Sequence, residues 1–162
     1  MEYTVDKKHF QFKHLPAYAS FLLNKKLEEF VTVGIRFARE VDLPMLKPLA
    51  KIPEGELVKL SLDSNRLILT ALTDGTISDF IRDNLKNWAE NKLEIIDKNE
   101  IEPEDLTLAY FIRRKLFAHF LYSYTPNTAL HQVIISEVDV YTTYEELATW
   151  KVYFDLHRST LI

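Results

Sequence analysis

Five histidines, His9, His14, His119, His131 and His157, are the side chains of this chain best suited to bind a metal or move a proton near neutral pH. None opens an HExxH pair and none has a glutamate three positions before it, so the zinc-protease and di-iron bundle signatures are both missing. Asp155 and His157 are two apart and would point to different faces of a helix. With no cysteine, thiolate nucleophiles, zinc–thiolate sites and disulfides are excluded. If the chain held haem, His119 in RRKLFAHFLY or His131 would be the ligand, in a pocket lined by Phe117 and Phe120. A lone imidazole without a pocket pattern is more often a helix-surface residue, so no metal and no cofactor is expected.

The other charged groups give no catalytic constellation. The acidic stretch from Asp97 to Asp105 is not a calcium loop, because its sixth and twelfth positions are Glu102 and Leu108 rather than glycine and a carboxylate. Arg113, Arg114 and Lys115 form a basic spot that could bind an anion or pair with Glu94, Glu100 or Glu102. Glu145 and Glu146 are neighbours on what reads as a polar face and do not suggest a glycosidase pair. The three glycines, Gly34, Gly55 and Gly75, stand apart, so no glycine-rich phosphate loop can be written. The expectation is a protein that is not an enzyme.

The elements that must position these groups read as helices throughout. A chain of 162 residues with 47% hydrophobic and 27% charged residues suits one folded domain. A net charge of −4 argues against duplex nucleic acid as a partner. No apolar run approaches the ~20 residues that span a bilayer, and the N-terminus has no apolar signal core. A cytoplasmic protein with no membrane partner is expected. Residues 1–14 read as an arm, and residues 15–162 as a single helical domain. Helical spacing begins at Pro16 and continues through Phe21, Leu22, Leu27, Phe30, Val31, Ile35, Phe37 and Ala38. Asp42 is placed to cap a short helix with Met45, Leu46 and Leu49, and Pro53 opens the next. Gly75 suits a helix stop, and Thr76 with Asp79 a capping box for a helix carrying Ile77, Phe80, Ile81, Leu85, Trp88 and Leu93. Pro103 begins a helix through Phe120 and Leu121, and Thr125, Pro126 and Asn127 break it. The run VTVGI at 31–35 lies inside a strong helical period, which leaves an all-α fold.

The last element carries the most information. From about Thr128 to Leu161 there is neither glycine nor proline, and apolar residues recur throughout. One helix of that length is on the order of 50 Å, longer than a compact domain of this size. Its projecting apolar end needs a cover, and the expected cover is the same helix of a second chain. The residues expected at that homodimer interface are Val138, Tyr141, Tyr144, Leu147, Ala148, Trp150 and Phe154.

Three phrases, FLLNKKLEEFVTVGIRFAREVDLPMLKPLAKIPEGELVKLS, LTLAYFIRRKLFAHFLYSYT and VIISEVDVYTTYEELATWKVYF, together resemble the helical N-terminal region of some bacterial sensor histidine kinases. That region precedes PAS and kinase modules. It is similar in turn to the non-haem globin-type sensor domains at the N-termini of stressosome proteins. The resemblance covers residues 15–157 and implies a globin-like fold without haem, dimerising through its last helix. That helix would pass a signal to downstream PAS or kinase modules or to a partner protein. The 162 residues hold no phosphoacceptor box and no ATP-binding glycine boxes, so no kinase activity is implied for them.

Overall fold

The computed structural model describes residues 3–92 and 97–158, and the described residues are helical with no strand. Eight α-helices run in the order α1 (Leu15–Lys25), α2 (Leu27–Glu40), α3 (Leu46–Leu49), α4 (Glu54–Asp74), α5 (Ile77–Ala89), α6 (Pro103–His119), α7 (Leu121–Tyr124) and α8 (Thr128–His157). Helix α1 packs on α4, α2 on α4 and α6, and α6 on α8, with α5 closing the bundle between α4 and α8. The core is apolar and aromatic: Tyr18, Leu22, Phe30, Leu72, Ile81 and Phe117 are among its most enclosed side chains. Burial of each such side chain contributes about 1.5–3 kcal/mol.

Local signals set several boundaries. Pro53 and Pro103 stand at helix starts, where a missing N–H is harmless. Gly75 ends α4 at φ +74°, in the left-handed region that glycine enters without strain. Asn127 caps α8 by accepting a hydrogen bond from the Leu130 N–H at 3.2 Å. Gly34 lies in α2 where a Cβ would come within 3.1 Å of Leu116 Cδ2, so its small size admits the close approach of α6.

Elsewhere the expected boundaries shift. The pattern starting at Pro16 is two helices, broken at Lys26, whose N–H still reaches the Leu22 carbonyl at 3.0 Å. The α6 pattern also breaks, at Phe120, before the short α7. Asp42 does not cap α3: it takes a left-handed turn with φ +52°, and its N–H bonds back to Arg39. Thr76 forms no side-chain cap, and Asp79 instead faces Arg82 at 3.2 Å. Leu93 lies outside the described residues.

The segment before α1 lies against α5 and α8 with Phe10 buried. His9 stacks on Tyr144 with ring centroids 3.7 Å apart. Helix α8 is continuous over 30 residues, about 45 Å at 1.5 Å per residue. No helix of the described residues is long and apolar enough to cross a membrane.

Candidate functional site

Helix α8 carries a buried face and, opposite it, an exposed apolar one. His131, Val138, Glu145 and Val152, spaced by seven, are all buried against the bundle, together with Ile134 and Tyr141. Two residues further along the same repeat, Val133, Val140, Leu147 and Phe154 are 43%, 41%, 49% and 53% exposed. Two residues turn a helix by about 200°, so this second stripe faces away from the core. A repeat of seven is the spacing that keeps apolar residues on one seam between two paired helices.

This arrangement corrects part of the expected interface. Val138 and Tyr141 are enclosed in the subunit's own core, and Tyr141 is fully buried between α6 and the N-terminal segment, so neither can reach a second chain. Leu147 and Phe154 are exposed, and Tyr144, Ala148 and Trp150 are half-buried. Val133 and Val140 belong to the outward stripe and were missed. Their register of seven with Leu147 and Phe154 was legible, but a helix apolar all round does not show which side its own domain covers. Near the end of α8, Trp150 and Phe154 lie 5.5 Å apart, and Phe154 is 6.0 Å from Tyr153. The aromatic end of the stripe is therefore a continuous patch.

On the inner face, α6 and α8 enclose a polar cluster. The Arg113 guanidinium donates to the Glu145 carboxylate and, at 3.1 Å, to the Tyr141 hydroxyl. Thr149 donates to the Glu145 carbonyl at 2.8 Å, which leaves its oxygen to accept from the Tyr110 hydroxyl at 2.7 Å. Burial pushes the Tyr110 and Tyr141 phenols well above their ordinary range, with the Glu145 charge adding to the effect. Burial opposes the charge on Arg113, but Glu145 and the two tyrosine oxygens outweigh it and hold the guanidinium protonated. The basic spot thus pairs across to α8 and α2; among the described residues no ion pair joins it to Glu100 or Glu102, and Glu94 lies outside the described residues. Arg114 lies 3.8 Å from Asp139 and 3.7 Å from Glu146, and Lys115 3.5 Å from Glu40. Glu145, expected on a polar face, is a buried partner.

Two cavities share Ala109 and Arg113 in their linings. One, about 230 Å³, lies among α2, α4 and α6 and is walled by Phe30, Val31, Leu57, Ile68 and Leu116. The other, about 170 Å³, lies among α5, α6 and α8.

The histidines do not converge. His131 Nε2 lies 2.6 Å from the Thr125 carbonyl, closing the turn before α8, and its ring meets Tyr122 edge-on. His119 is exposed, with its edge on Phe37 and Phe120. Phe117 and Phe120 pack into the core around Phe30, so the pocket that the haem alternative would place there is filled by side chains. Among the described residues, no group of three or more His, Asp or Glu is placed to hold a metal ion.

Compared with known proteins, the chain matches no family model, no curated protein and no solved structure.

Proposed function

We propose that this chain is a non-catalytic regulatory module of a bacterial signalling protein, a globin-like sensor and dimerisation domain. Two copies pair through the outward stripe of α8, and the pair relays a change in the helical body to downstream PAS or kinase modules or to a partner protein. The observation that carries this reading is the register of Val133, Val140, Leu147 and Phe154 on a helix whose opposite face is already used. An isolated exposed apolar residue needs no explanation, but four on one line along a continuous helix form a seam.

The seam is uneven. At the alternate seam positions, three residues after each of the four, stand Ser136, Thr143, Trp150 and His157. The half nearer the N-terminus of α8 is therefore polar and loosely specified. The half with Leu147, Trp150 and Phe154 supplies the anchor, as large apolar and aromatic side chains do at interfaces. The relay runs through Arg113 and Glu145, which tie the inner face of α8 to α6 beside both cavities. A change in the body that shifts α6 acts on α8 there and biases two packings of the helix pair.

Sedimentation equilibrium tests the reading. The unaltered chain is expected to be a dimer at micromolar concentration and Leu147→Lys a monomer, with Val133→Lys weakening the pair less. Both side chains are half-exposed in the subunit, so helix content by circular dichroism stays unchanged. A monomeric unaltered chain, or a dimer indifferent to Leu147→Lys, overturns it.

A further inference from the structure

The indole N–H of Trp88 has no hydrogen-bond partner among the described residues, although Trp88 is only 4% exposed. A buried donor left unpaired has lost its water without replacement, so the position calls for an acceptor. Trp88 lines the 170 Å³ cavity among α5, α6 and α8. Much of that lining is aliphatic, from Ile81, Leu85, Ile101 and Leu106.

The polar groups around the same cavity are already committed. Asp105 accepts from the Met45 N–H at 2.8 Å through one oxygen and from the Glu102 N–H at 2.9 Å through the other. Arg113 and Glu145 neutralise each other, and the Tyr110 hydroxyl is held by Thr149. Asn84, one turn before Trp88, is the exposed member of the lining. An anion would meet the carboxylates of Asp105 and Glu145, and a cation would meet Arg113 and a bare N–H donor. Water alone is poorly suited, since an ordered buried water needs about three polar partners and the lining's buried polar groups are already engaged with protein partners.

We infer that this cavity is a binding site for a small uncharged molecule with a carbonyl acceptor, which takes the Trp88 indole N–H while its apolar body meets Ile81, Leu85, Ile101 and Leu106. At roughly 30 Å³ per water-sized atom group, the space suits a molecule of about five or six non-hydrogen atoms. The site stands independently of α8 pairing. Its occupant would rest beside Arg113 and Glu145, the pair that ties α6 to α8.

Cyclopentanone and cyclopentane, matched in shape and differing in the carbonyl, serve as probes on the full chain labelled with nitrogen-15. Only two indole N–H signals exist, from Trp88 and Trp150, and Trp150→Phe assigns them. Cyclopentanone is expected to move the Trp88 indole proton downfield with saturation, whereas cyclopentane leaves it in place. Trp88→Phe, which removes the donor and leaves a smaller aromatic ring, is expected to weaken cyclopentanone relative to cyclopentane by about fivefold to tenfold. An indole proton that ignores the ketone, or equal responses to both probes, overturns the inference. So does an unchanged preference for the ketone over the hydrocarbon in a Trp88→Phe chain whose folded state is verified by circular dichroism.

Discussion

The Arg113 and Glu145 side chains are 24% and 7% exposed, so each has exchanged most of its water for the other. Removing one partner leaves the other charge buried and uncompensated, whereas replacing both with apolar groups removes the desolvation cost as well. Arg113→Met alone is expected to lower stability by about 3 kcal/mol, and Arg113→Met with Glu145→Leu to recover most of it. Urea unfolding midpoints at constant slope measure both. The tyrosines give a second prediction, because Tyr18, Tyr110 and Tyr141 all have phenols raised by burial. Unfolded phenols ionise near pH ~10, and below that both states hold their protons, so these groups add no pH dependence. Above it, the unfolded chain releases protons that the folded chain keeps, and stability must fall as pH rises. Phenolate absorbance in an alkaline titration is expected to show these three appearing only with loss of helix. The charge run at Arg113–Lys115 was legible in the sequence, but its partners were not. Pairing across 32 positions depends on how α6 lies on α8, and Glu145 sits beside polar neighbours that disguise its inward face.

Helix α1 begins without a side-chain cap of its own, since His14 at its N-cap provides no acceptor. Glu137 of α8 fills that role from a distance. Its carboxylate accepts the backbone N–H groups of Lys13 at 2.5 Å, His14 at 3.0 Å and Leu15 at 2.7 Å. The negative charge also meets the positive end of the α1 dipole. Glu137→Ala is therefore expected to cost about 1–2 kcal/mol, and to speed amide exchange at Lys13–Leu15 first. Uniform exchange acceleration across the bundle would instead mean that the carboxylate has no special hold on α1. Helix boundaries marked within a few residues, such as Pro53, Gly75, Pro103 and Asn127, could be read from sequence because the cap or stop is local chemistry. The breaks at Lys26 and Phe120 could not. No glycine or proline stands at either, and apolar periodicity continues on both sides because each short helix buries residues in the same core.

At the scale of the whole molecule, α8 is, among the described residues, the long helix exposed along an apolar line while its other side belongs to the core. Its length and continuity were legible from the absence of glycine and proline, whereas the outward line was hidden by apolar residues on every side. Which way two such helices run decides whether a relay can act in the same direction on both copies. In parallel, in-register pairing, each seam residue meets its own counterpart, and Glu146 of one copy flanks Lys151 of the other. In antiparallel pairing centred on the stripe, Val140 meets Leu147 and the two Glu146 side chains lose that partner. The parallel arrangement is expected, and a chain with no cysteine permits a clean test. Val140→Cys and Leu147→Cys variants are prepared separately, mixed while reduced, and oxidised mildly, with the products resolved by mass. A disulfide needs Cα atoms within about 7 Å, so only facing positions link. Parallel pairing yields Val140→Cys linked to itself and Leu147→Cys linked to itself. A product joining the two variants, with neither self-linked, would establish the antiparallel pair and remove the basis for a relay that leaves both subunits at the same end.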